Sequence, residues 1–158
     1  MENHKTDKNA RIPTVSRVAG DTLVELVYDP KERKTALAVS RFNGLWNIEQ
    51  EVKVSSGEVL VPYSASNNLI ASGCVLLPST PVDYGLKHEL VADIRSFVHR
   101  YVDLSPLFEE IASYYVLLSW VHDAFGELPY LRFMGDYGTG KTRALMTIGS
   151  LGYRPFFA

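Results

Sequence analysis

Eight consecutive residues, Gly135, Asp136, Tyr137, Gly138, Thr139, Gly140, Lys141 and Thr142, set two glycines, an amine and a hydroxyl at the spacing G-x-x-x-x-G-K-[ST]. These residue types suit a polyphosphate. Such an anion needs several donors converging on it and a backbone that can come close. Gly135 and Gly140 lack a Cβ, so the chain there can wrap the anion and take positive φ. Amide N–H groups from about Tyr137 to Thr142 can then face inward as an anion nest. A helix beginning at the end of the loop adds the free N–H groups of its first turn and the positive end of its dipole. In this arrangement Lys141 reaches the β- and γ-phosphates and the Thr142 hydroxyl ligates Mg²⁺. Asp136 can tune phosphate or metal contacts, Tyr137 can stack near a base, and Arg143 can act on a neighbouring subunit. The plainer readings are a solvent-facing loop residue, a loop-tip residue and a helix-surface arginine. Glycines at 135, 138 and 140 do not fall in G-x-G-x-x-G order, which argues against a dinucleotide site.

The elements that must hold this loop are legible on both sides. Tyr130-Leu131-Arg132-Phe133-Met134 is predicted as a short strand, and Arg143-Ala144-Leu145-Met146-Thr147-Ile148 as a helix. Upstream, Leu86, Leu90, Val91, Ile94, Phe97, Val98 and Tyr101 recur at helical spacing. A second helix is predicted from Ser105 as N-cap and Pro106 as first residue, ending at Gly126. Its expected core face is Leu107, Phe108, Ile111, Tyr114, Leu118, Val121 and Phe125.

Before residue 80 the pattern is that of strands. Residues 22–28 and 35–40 flank the turn signal Asp29-Pro30-Lys31-Glu32-Arg33-Lys34 and predict a hairpin. A second turn is expected at Phe42-Asn43-Gly44, then strands at 45–49, 51–54, 59–61 and 69–77, the last bent at Gly73. The predicted organisation is a disordered tail over 1–16, a β-rich accessory module over 17–80, a helical segment over 81–126 and a nucleotide-binding start over 127–158. The overall class is α+β.

Composition limits the partners. The 158 residues carry a net charge of −2, so no global basic field draws the chain to nucleic acid. A local surface remains open: Lys31, Arg33, Lys34, Arg41, Phe42 and Trp46 supply basic and aromatic groups for single-stranded DNA, though Glu25, Glu32 and Glu49 interleave with them. A solvated hairpin is the alternative. The one cysteine, Cys74, excludes an internal disulfide and reads as a buried, inert thiol in a reducing compartment. The N-terminus has no apolar signal region, and the most apolar window, residues 111–121, is short of the ~20 residues of a membrane span. A cytoplasmic protein with no membrane partner is expected. His88, His99 and His122 are not spaced as metal ligands on one face.

The loop places the chain, by resemblance, in the P-loop (Walker A) NTPase superfamily. The run Leu128-Pro129-Tyr130-Leu131-Arg132, the loop through Arg143, and Ile148-Gly149-Ser150-Leu151-Gly152-Tyr153-Arg154-Pro155 resemble phage and mobile-element ATPases similar to AAA+ and replicative-helicase-like proteins. That resemblance covers residues 128–158 and implies the beginning of an α/β core. It implies Mg-ATP as the ligand, held by Gly135, Asp136, Tyr137, Gly138, Thr139, Gly140, Lys141, Thr142 and Arg143. It also implies ATP hydrolysis in the full-length protein, DNA processing or replication as its setting, and possible homo-oligomers. After Asp136 the sequence contains no Asp or Glu, so no residue from 137 onward can act as the second acidic metal-holding group, and Arg154-Pro155-Phe156-Phe157-Ala158 reads as the start of a further strand. The chain is therefore expected to be the N-terminal part of a longer ATPase, inactive by itself. The alternative is a non-hydrolysing nucleotide-binding or protein-interaction module.

Overall fold

The computed structural model of the chain describes residues 10–41 and 44–157. Residues 1–9 of the expected tail, Phe42 and Asn43 of the expected turn, and Ala158 lie outside the described residues. The chain is mixed α+β and divides into two compact units at Val82 and Asp83.

The first unit is built from two small sheets. Strands β2 (Ser16–Ala19), β3 (Thr22–Asp29), β4 (Lys34–Ser40) and β5 (Trp46–Glu49) form an antiparallel meander. Strands β1 (Arg11–Thr14), β7 (Val59–Pro62) and β6 (Val52–Lys53) form the other sheet, with β1 parallel to β7. The β3–β4 hairpin follows from alternation and turn chemistry. Val24 pairs with Val39 and Leu26 with Leu37, so all four side chains share one face. At the turn the Asp29 carboxylate accepts the N–H groups of Lys31 (2.8 Å) and Glu32 (3.2 Å), and Arg33 takes a φ of 52°. Val24, Leu26, Leu37 and Val39 pack with Val52 and Leu60 of the second sheet into a single core. Trp46 stands half-exposed on β5.

Two expectations are corrected in this unit. Residues 11–16 are not tail: β1 pairs along β7, Ile12 packs on the core, and Ser16 opens β2. Residues 69–77 are not a strand. Asn67 caps a short helix α1 (Asn68–Ala71) by accepting the Leu69 N–H, and Gly73 at φ 71° turns the chain out of it. Ile70 and Leu77 still reach the core, so the apolar residues serve as expected in another backbone form. Cys74 is half-buried rather than buried.

The second unit is helical. Helices α2 (Lys87–Tyr101), α3 (Pro106–Trp120) and α4 (Lys141–Gly149) share a core of Ile94, Val98, Ala112, Val116 and Ile148. The Glu89 carboxylate accepts the Leu86 N–H at 2.8 Å and fixes the start of α2. Pro106 opens α3 as predicted, but the helix stops at Trp120, followed by a 3-10 turn at His122–Ala124. The expected core face of α3 is wrong. Leu107, Phe108, Ile111, Tyr114, Val121 and Phe125 are exposed and Leu118 is half-buried, while Glu109, Ala112, Ser113 and Val116 are buried. Small Ala112 and Ser113 let α3 lie close to α2, and the Ser113 hydroxyl donates to the Glu109 carbonyl at 2.8 Å. α3 is apolar on nearly every side, so periodicity could not choose its buried stripe. The far end of α3 is tied to the chain after α4: Trp120 Nε1 donates to the Leu151 carbonyl (2.9 Å), and the Tyr153 N–H to Ser119 Oγ (2.9 Å). Among the described residues no helix is long and apolar enough to cross a membrane.

The strand expected at residues 130–134 does not form, and neither does one at 154–157, where Arg154 turns at φ 47°. Among the described residues the second unit has no strand at all, so residues 128–134 have no ladder to join.

Candidate functional site

Residues 131 and 133 deliver the chain to the loop. Leu131 and Phe133 pack on the helical core, while Tyr130, Arg132 and Met134 point outward. This period-two alternation is the physical content of the strand expectation. At Gly135 a Cβ would lie 2.8 Å from Thr139 Oγ1, so a larger residue there would have to displace the Thr139 hydroxyl. Gly138 and Gly140 sit in the left-handed region, at φ 80° and 79°. Gly140 is the N-cap of α4, so the loop ends where the helix dipole begins.

Lys141 bends back over the loop. Its Nζ donates to the carbonyl oxygens of Gly135 (2.8 Å) and Asp136 and contacts Thr139 Oγ1 at 3.2 Å. The Thr139 hydroxyl donates in turn to the Asp136 carbonyl at 2.9 Å. One ammonium thus ties together the entry and the exit of the loop. Thr142 and Arg143 stand exposed in the first turn of α4, and Tyr137 is fully exposed at the tip. The N–H groups of Tyr137, Gly138 and Gly140, and of the first helical residues 141–143, have no acceptor among the described residues. The arrangement offers N–H donors, a helix N-terminus, a lysine and a hydroxyl to an anion. The structure therefore brings all nine expected contact residues, 135–143, to one loop and one helix turn.

A cavity of about 740 Å³ opens on that loop. Residues 137–144 line it together with Phe133 and Met134, just before the loop, and with Tyr101, Val102, Asp103 and Leu104. Residues 102–105 are the connection between α2 and α3. Sequence reading missed this wall, because a four-residue connection carries no periodic signal and lies more than thirty positions before the loop. The Tyr101 ring is positioned by Phe97, with centroids 5.0 Å apart.

No family model matches the chain, and no curated protein or solved structure is found to be similar.

The remaining candidates are not gathered into a site. Lys31, Arg33 and Lys34 lie at the β3–β4 turn, while Arg41 and Trp46 lie at the other end of β4, about 20 Å away at 3.4 Å per residue. Lys34 pairs with Glu32 (3.4 Å) and Arg41 with Glu49 (3.3 Å). Phe42 is outside the described residues. His99 Nδ1 meets the buried Glu109 carboxylate at 2.6 Å, with Arg95 at 4.0 Å, and His122 Nδ1 lies 3.1 Å from the Ser119 carbonyl. The Glu109 cluster had no signal in the sequence beyond a first-turn acid.

Proposed function

We propose that this chain binds a nucleoside triphosphate, as Mg-ATP, through residues 135–143. The reading is supported above all by Lys141, whose ammonium lies over a loop with two left-handed glycines and a helix N-terminus directly behind them. Incoming phosphate oxygens replace the Gly135 and Asp136 carbonyls as acceptors of the Lys141 protons. The free N–H groups of the loop and of α4 supply further donors, and the Thr142 hydroxyl holds the metal ion that bridges the phosphates. Gly138 and Gly140 keep the backbone close enough for this contact.

Binding is the step assigned to these residues. The larger setting we infer is that of an ATPase acting on DNA in a mobile element.

Calorimetric titration of the chain with Mg-ATP, with Lys141→Ala as control, tests the assignment. Binding that drops at least 100-fold in the variant is expected, since a charge-assisted contact to phosphate and the loop's internal tether are lost together. Equal affinity in the two proteins removes the assignment and leaves the non-nucleotide interaction module.

A further inference from the structure

We propose that the connection between α2 and α3 is the nucleoside wall of this site: Tyr101 packs on the base and the Asp103 carboxylate accepts hydrogen bonds from the ribose hydroxyls. The inference rests on the reading of residues 135–143 as a triphosphate loop and extends it to the rest of the ligand.

The cavity is the starting point. Its volume of about 740 Å³ falls in the range, about 300–1,000 Å³, that holds a molecule of nucleotide size. The loop and the first turn of α4 make up only part of the lining. The rest is apolar and aromatic, from Tyr101, Val102, Leu104, Phe133 and Met134, with Asp103 as its one charged residue. Lys141 and Arg143 carry the positive charge, and both belong to the first turn of α4.

This polarity orients a ligand. A phosphate oxygen is repelled by the Asp103 carboxylate and drawn to Lys141 and Arg143, and water in the exposed cleft screens both effects. Phosphates therefore favour Lys141, and an uncharged, donor-bearing, flat moiety favours Tyr101 and Asp103. An ionised carboxylate only accepts hydrogen bonds, so Asp103 requires donors, and vicinal sugar hydroxyls supply two. Carboxylate recognition of a ribose hydroxyl is an established use of the acidic side chain in nucleotide sites. Tyr101 is 47% exposed and held from one side by Phe97, which leaves ring surface for a base.

The test is titration of the whole chain with Mg-ATP, Mg-2′-deoxy-ATP and Mg-tripolyphosphate, using wild type, Tyr101→Ala, Asp103→Asn and Lys141→Ala, with helicity checked by circular dichroism. Wild type should bind ATP about tenfold or more tightly than tripolyphosphate. Tyr101→Ala should weaken ATP about tenfold and leave tripolyphosphate unchanged. Wild type should prefer ATP over 2′-deoxy-ATP by about tenfold, and Asp103→Asn should bring that ratio near one without altering tripolyphosphate binding. Equal affinity for ATP and tripolyphosphate in wild type overturns the wall while the loop stands. So does an Asp103→Asn or Tyr101→Ala variant that moves both ligands in parallel, or neither. Tripolyphosphate binding that survives in Lys141→Ala, or is missing in wild type, instead overturns the loop reading and the wall with it.

Discussion

Lys141 and Glu109 show two ways of placing a charge in this molecule. Lys141 is held by backbone carbonyls of its own loop, so its ammonium is positioned before any ligand arrives. Glu109 is held between helices: its side chain is only 10% exposed, while those of Arg95 and His99 are 40% and 73% exposed. That difference sets the magnitude of its contribution. Removing one member of a fully buried pair costs about 3–5 kcal/mol, because the other charge is stranded away from water. Here the Arg95 and His99 side chains are already hydrated, so Glu109→Ala should destabilise the helical unit by a smaller amount, about 1–2 kcal/mol. Glu109→Gln, which keeps the shape and one acceptor, should lose less. Urea unfolding followed by far-ultraviolet circular dichroism measures both, and a loss for Glu109→Ala as large as a stranded buried charge would contradict the exposure argument.

At the scale of elements, α4 connects the loop to the rest of its unit. Gly140 and Lys141 begin the helix, and Ile148 at its other end lies in the core with Ile94, Val98, Ala112 and Val116. Ile148→Ala should cost about 2–5 kcal/mol. A unit of this size has only about 4–11 kcal/mol in total, so the substitution removes much of what holds the loop in place. Both the urea midpoint and the affinity for Mg-ATP should fall, and an unchanged affinity would show that the loop is ordered independently of the helix. The loop, the hairpin of β3 and β4, and helices α2 and α4 were legible because each is written in neighbouring residues: a glycine spacing, an alternation around an Asx turn, a 3.6-residue period. What was not legible depended on distant partners. Residues 130–134 alternate like a strand, but a strand exists only beside another, and none lies there among the described residues. α3 has large apolar groups on its outer side and small ones toward α2, so hydrophobicity pointed to Leu107 and Ile111 where packing selected Ala112 and Ser113. Asp103 was invisible as a neighbour of the loop for the same reason, since only the folded chain brings it to the cavity of residues 137–144.

For the whole molecule, the decisive fact is that the two cores share no residue. Every member of the β core lies before residue 82, and every member of the helical core after it. In the first unit, surface pairs add local order: the Ser56 hydroxyl and then the Arg17 guanidinium hold the Glu58 carboxyl below its ordinary range, against the opposing effect of burial. A protein of residues 1–82 alone should therefore unfold cooperatively with its own thermal transition. Differential scanning calorimetry would show it, and a flat trace would mean that this core needs the second unit.

The positions of the two tryptophans then acquire a practical meaning. The chain has only Trp46 and Trp120. Trp46 lies on β5 of the first unit, and Trp120 ends α3 of the second, its indole bonded to Leu151 and stacked edge-on with Tyr153 at 5.3 Å. Each half of the molecule thus carries its own fluorophore. Replacing either with Phe leaves an emission signal that reports on one half alone, and Trp120 reads the anchorage of the very segment that follows α4.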